Sequence, residues 1–144
     1  SLTRKGVEFS VFEVYETDDG EGPNCLVKFE LEGITVAHQG DLGHRVEGAA
    51  LEFLENTDVL LALAGGPPTI KIPDLVDLVE STRPPLVLPM HYRTPSCNLD
   101  LQPVEDFLAA CEGYPTETPG SSELILTRDS LPAETTLVVL DHAR

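Results

Sequence analysis

Three features of the chain predict an α/β domain. Val7–Tyr15 alternates apolar and polar residues, Cys25–Glu30 and Ile34–His38 flank a Glu32-Gly33 turn, and the apolar runs Val59–Ala64 and Leu86–Leu88 bracket a helical stripe. The first two are strand signals, and a tight turn joins its neighbours antiparallel. The third is a strand–helix–strand unit, which puts its strands parallel through a right-handed crossover. At 144 residues the whole chain suits a single domain with a sizeable core.

The elements follow in order. Val7, Phe9 and Val11 face one side of the first strand, and Glu8 and Ser10 the other. Asp18 to Asn24 is a loop by its turn residues, Gly20, Gly22 and Pro23 among them. Val46–Leu54 carries Val46, Ala49, Ala50, Phe53 and Leu54 at helical spacing. Val59–Ala64 is continuously apolar, as in an interior strand covered on both faces. Gly65-Gly66-Pro67-Pro68 breaks it. The next helix has the stripe Ile72, Leu75, Val76, Leu78 and Val79, with Pro73 tolerated in its first turn. Pro84-Pro85 stops it before the strand Leu86–Leu88. Pro103–Ala110 is a third short helix, and Glu123–Thr127 and Thr136–Leu140 are expected as two closing strands. No internal repeat or low-complexity linker interrupts this order.

Charge narrows the function. Nine basic against 25 acidic residues leave −16, which repels phosphate backbones and anionic membrane surfaces, so neither nucleic acid nor membrane is expected as a partner. No apolar run approaches membrane-spanning length, and Ser1–Lys5 lacks the apolar stretch of a signal peptide. Cys25, Cys97 and Cys111 are odd in number and share no CxxC spacing, which reads as reduced thiols in the cytoplasm. No Gly-x-Ser-x-Gly elbow supports a serine hydrolase, and Gly40-Asp41-Leu42-Gly43 lacks the lysine of a phosphate-cradling loop.

Two segments carry chemistry. His38-Gln39-Gly40-Asp41-Leu42-Gly43-His44 and Pro89-Met90-His91-Tyr92 each put a metal-binding side chain where an apolar run gives way to a loop. Strand ends are where loops converge above a rigid scaffold. Together with Gly22-Pro23-Asn24, Asp58-Val59-Leu60-Leu61, Gly65-Gly66, Thr69-Ile70, Thr94 and the tail Leu131–Thr135, in this order, they resemble the metallo-β-lactamase superfamily. The specific resemblance is to small metal-dependent hydrolases related to ascorbate-phosphate lactonases. It spans Gly6 to about Leu140 but covers only the C-terminal half of the family's domain.

The resemblance implies half of a four-layer αββα sandwich: a mixed sheet with helices on one face. It implies metal ligation by Asp41, as the carboxylate bridging two ions, and by His91, as the last histidine ligand. His44 closes the motif in a hydrogen-bonding role behind the ligands. Glu16 stands in Tyr15-Glu16-Thr17-Asp18-Asp19 where the family usually carries a histidine ligand, and reads as a vestigial one. The family's His-x-His-x-Asp-His, which supplies most of the ligands, is absent from these residues.

A zinc or manganese site needs about four ligands per ion, so two or three are expected to bind weakly. The complete family domain would use a divalent metal on a small-molecule substrate. These residues alone are expected to retain no stoichiometric metal and to hydrolyse nothing. The alternative is a non-catalytic relic serving as a binding or assembly module. Either way, an apolar sheet face lacking its partner predicts a homodimer through the Val59–Leu63 and Leu86–Leu88 faces.

Overall fold

The computed structural model describes residues 1–143. One eight-stranded mixed sheet runs through it: β1 (Leu2–Arg4), β2 (Val7–Tyr15), β3 (Pro23–Leu31), β4 (Ile34–His38), β5 (Val59–Leu63), β6 (Leu86–Met90), β7 (Thr116–Glu117) and β8 (Thr136–Val138), in the order β1-β2-β3-β4-β5-β6-β8-β7. β1 to β4 pair antiparallel, and β4, β5, β6, β8 and β7 pair parallel. The β3–β4 hairpin turns at Glu32 and Gly33, both with positive φ (52° and 77°), the backbone twist that suits a two-residue connection.

Three helices, α1 (Gly48–Leu54), α2 (Ile72–Thr82) and α3 (Val104–Ala110), lie on one face. Their buried residues Ala50, Leu54, Ile72, Leu75, Leu78, Val79 and Phe107 join Val14, Leu26, Ala37, Leu60, Val87 and Leu137 of the strands in a single core. Fully burying such side chains stabilises by about 1.5–3 kcal/mol each. α1 starts later than the apolar spacing suggests: Val46 is buried ahead of it, and Glu47 is extended.

Among the described residues the opposite face carries no α-helix. Register aligns Phe9, Phe29, Val36, Val59 and Leu86 in one row, and Val11, Val27, His38, Leu61 and Leu88 in the next. Its far side is covered by the chain itself, where Leu126 and Leu131 pack against Ile34, Val59, Leu86 and Val138. Arg128 ties this cover down through Asp58 (2.5 Å) and the Gly33 carbonyl (3.2 Å). The rest is open, with Val11 and Leu31 each 53% exposed.

That cover corrects the expectation of a strand over Glu123–Thr127. The segment is irregular and ends in a 3-10 turn at Arg128–Ser130. The place beside β8 is taken by the two-residue β7, so Leu126 packs onto the face instead of joining a ladder. Thr136–Leu140 is a strand only as far as Val138.

Candidate metal centre

The pairing directions bring five strand ends to one edge of the sheet. β4, β5 and β6 are parallel, so His38, Leu63 and Met90 end together. β3 is antiparallel to β4 and β2 to β3, so Pro23 and Tyr15 lie at the same edge. The loops leaving these ends carry Glu16, Asp41, the Gly65-Gly66 break and His91. Glu16, Asp41 and His91, with Thr17, Pro68, Thr69 and Leu99, line one open depression of about 250 Å³.

Asp41 sits in a tight turn closed by the Leu42 N–H donating to the Gln39 carbonyl (3.2 Å). Three side chains clamp this turn. The Gly40 N–H donates to His38 Nδ1 (2.8 Å), Asn24 Nδ2 donates to the Gln39 carbonyl (3.2 Å), and Gln39 Oε1 accepts the Leu63 N–H (2.9 Å). Gln39 is fully buried, with its Nε2 unpartnered. The Asp41 side chain itself is exposed and takes part in no hydrogen bond or ion pair among the described residues. An unpaired carboxylate on a fixed turn is available to a cation.

The Glu16 loop is fastened to that same turn. The Gly43 N–H donates to the Tyr15 carbonyl (3.2 Å), and the Tyr15 N–H donates to His44 Nε2 (3.3 Å). His44 Nδ1 lies 2.8 Å from the Arg45 carbonyl, so the ring donates there and accepts from Tyr15. Both ring nitrogens are thereby engaged, which leaves His44 no lone pair for a metal. Gly43 is required by contact: a Cβ there would overlap the Glu16 carbonyl and stand 3.2 Å from its Cα. Glu16 is exposed, and its carboxylate folds over Gly22, with Oε2 2.9 Å from where a Cβ on Gly22 would be.

His91 has a left-handed backbone (φ 54°) that only glycine adopts without penalty, at a strain of about 1–2 kcal/mol. The Gly65 loop holds it there. The Ala64 N–H donates to the Met90 carbonyl (2.9 Å), and a Cβ at Gly65 would overlap the His91 carbonyl oxygen. His91 Nδ1 is buried without a hydrogen-bond partner. His91 also borders a second depression, with Tyr92, Thr94, Ser122, Asp141 and His142.

One imidazole with an orphan nitrogen and two free carboxylates is the right donor chemistry for a divalent ion. It is part of a shell, not a whole one. Among the described residues no three His, Cys, Asp or Glu side chains converge to hold a metal. Cys111 offers no substitute, since burial pushes its thiol up to about 11. Asn24, His38 and Gln39 stand in segments that carry the family resemblance, but their clamping role has no signal in the sequence, because polar residues at a turn read as solvated loop. No helix among the described residues is long and apolar enough to cross a membrane.

Comparison with known proteins follows the same lines. Residues 1–91 match the family model of the beta-lactamase superfamily domain. A UPF0173 metal-dependent hydrolase of Carboxydothermus hydrogenoformans is 32% identical over 81 residues, 52% of this chain and 36% of that protein. One from Staphylothermus marinus is 34% identical over 61 residues, 42% of this chain and 27% of that protein. The matches thus span about a third of these relatives' length. Among solved structures, a candidate Zn-dependent hydrolase of the metallo-beta-lactamase superfamily from Thermotoga maritima superposes with TM-score 0.76 at 34% identity, covering 96% of this chain and 67% of that one. The metallo-beta-lactamase fold protein YhfI from Bacillus subtilis superposes at 0.59 with 10% identity, over 95% of this chain and 48% of its own, a likeness of fold alone.

Proposed function

The chain belongs to the beta-lactamase superfamily domain family, and on that premise we propose that its strand-end depression is one share of the metal centre of a metal-dependent hydrolase. Asp41 and His91 are the ligands in this reading. The observation that carries it is His91, a strained residue with a buried, unpartnered ring nitrogen, bordering the same depression as the unpaired Asp41. When bound, a divalent ion there supplies Lewis acidity and a nucleophile at neutral pH. The chain's own contribution is to hold one carboxylate and one imidazole at fixed strand ends, and His44 fastens the Glu16 loop beside them.

The remaining ligands come from a second half-domain, and these residues alone are inactive. Support for this is the length of the solved relative, a third of which has no counterpart here. The substrate is a small molecule bound between the halves. In isolation, a second copy of the chain occupies the open part of the sheet face, around Phe9, Val11, Val27, Phe29 and Leu31, rather than the Val59 and Leu86 end expected from the sequence, which Leu126 and Leu131 already cover.

Paramagnetic Mn²⁺ added to the 15N-labelled chain tests the ligand assignment. The amides around Asp41 and His91 are expected to broaden first, and Asp41→Asn is expected to abolish that pattern. Broadening spread evenly over the acidic loops around Asp19 and Asp129 would refute the site. Zinc retained at one equivalent after dialysis would refute the claim that the shell is incomplete.

A further inference from the structure

We propose that a groove at the opposite edge of the sheet binds a small zwitterion, an apolar α-amino acid, held at its carboxylate by Arg83 and at its ammonium group by Glu80 and Glu134. The inference is independent of the metal centre. The groove lies where β6 and β8 begin, at the edge away from Asp41. Its volume of about 600 Å³ suits a small molecule rather than a single ion. The last turn of α2, the end of α3 with the turn after it, and the segment entering β8 form its walls. Backbone bonds fix them in place. The Tyr114 N–H donates to the Cys111 carbonyl (2.9 Å), the Leu137 N–H to the Pro115 carbonyl (2.9 Å) and the Thr136 N–H to the Pro85 carbonyl (3.0 Å). A preformed groove loses little conformational freedom when it takes up a ligand.

Arg83 carries the inference. It caps α2 in the left-handed region (φ 44°, ψ 53°), where glycine is the unstrained residue. Its guanidinium is exposed and forms no ion pair among the described residues, and only its Nε is engaged there, by the Glu80 carbonyl (3.3 Å). An unpaired arginine at a strained position, in a chain with 9 basic against 25 acidic residues, is available to a carboxylate, which it grips through two parallel N–H donors. Glu80 and Glu134 line the same groove, and their carboxylates are unpaired among the described residues. Two acids beside one base repel a simple anion, and Arg83 repels a simple cation. A molecule carrying both charges satisfies all three groups. Ala110, Tyr114 and Pro115 line the groove between them and offer apolar surface to its side chain. Tyr114 lies in the field of both kinds of charge: burial and then Glu80 push its phenol up while Arg83 opposes them, so it stays a neutral donor.

Titration of L-leucine into the 15N-labelled chain is expected to shift the amides of Gly113, Tyr114 and Thr135 at millimolar concentration. L-leucinamide, which lacks the carboxylate, and isocaproate, which lacks the ammonium group, are each expected to bind about tenfold or more weakly, the worth of one charge-assisted contact. Arg83→Gly is expected to lose the response while unfolding at no lower urea concentration than the parent, because glycine relieves the left-handed strain. No shift from L-leucine, shifts centred away from the groove, or leucinamide bound as tightly as leucine would each overturn the proposal. So would an Arg83→Gly chain that binds L-leucine as the parent does.

Discussion

Gly43→Ala should do more damage than any other exchange of one glycine for alanine at this edge of the sheet. A Cβ at Gly43 would overlap the carbonyl carbon and oxygen of Glu16 and stand 3.2 Å from its Cα. All of the obstructing atoms are backbone, so no flexible side chain can yield, and the Tyr15–Thr17 segment must move as a whole. Two hydrogen bonds are lost with it, from Gly43 to the Tyr15 carbonyl and from the Tyr15 N–H to His44 Nε2. Each contributes about 1 kcal/mol, and the residual overpacking costs a further 1 kcal/mol or so, for a total of about 3 kcal/mol. In a chain of this size that lowers the melting temperature by roughly 10 °C. Gly113→Ala is the matched control, because a Cβ there meets nothing within 4 Å, and it should stay within about 0.5 kcal/mol of the parent. Urea unfolding followed by circular dichroism measures both. If Gly43→Ala unfolds at the parent's midpoint, the Glu16 loop is not seated on Gly43.

Two further perturbations address the other face. Asp58→Ala should cost about 2 kcal/mol, since its largely buried carboxylate accepts the Thr35 N–H (2.8 Å) and would leave that donor unpaired. Arg128→Ala should cost less than about 1 kcal/mol, because that side chain is 60% exposed, and urea midpoints in the opposite order would contradict the assignment. Val11→Asp puts a charge on the open part of that face, so light scattering should show a dimer for the parent and a monomer for the variant. A parent that is monomeric at micromolar concentration removes the second copy from that face.

What could be read from the residues alone divides by the range of the interactions. The β3–β4 hairpin and the β5–α2–β6 unit were legible because their signals are local: a two-residue turn, an alternation, a 3.6-residue stripe closed by Pro84 and Pro85. Glu123–Thr127 has strand-like composition too, yet strand formation there depends on a free neighbour, and β7 occupies that position. β7 itself has two residues and β1 three, too short for any periodicity to show. At the candidate site, Asp41 and His91 stand out as chemistry-bearing residues at the ends of apolar runs. Asn24 and Gln39 do not, because their bonds span 15 and 24 positions of sequence and exist only once β3, β4 and β5 are side by side.

The site and the open face are joined through one residue. His38 lies in the apolar row between Val27 and Leu61, on the side of the sheet away from the helices. Its Nδ1 accepts the Gly40 N–H at 2.8 Å, one residue before Asp41. Whatever covers that face takes the His38 ring out of water, and a hydrogen bond shielded from water is stronger than one exposed to it. Covering the face therefore tightens the turn that presents Asp41. The same physics makes the uncovered chain the looser one at its carboxylate. If a partner covers the sheet it stabilises the site even where it adds no ligand, so His38→Ala should weaken the response of the Asp41 turn to that partner more than it weakens the partner's binding.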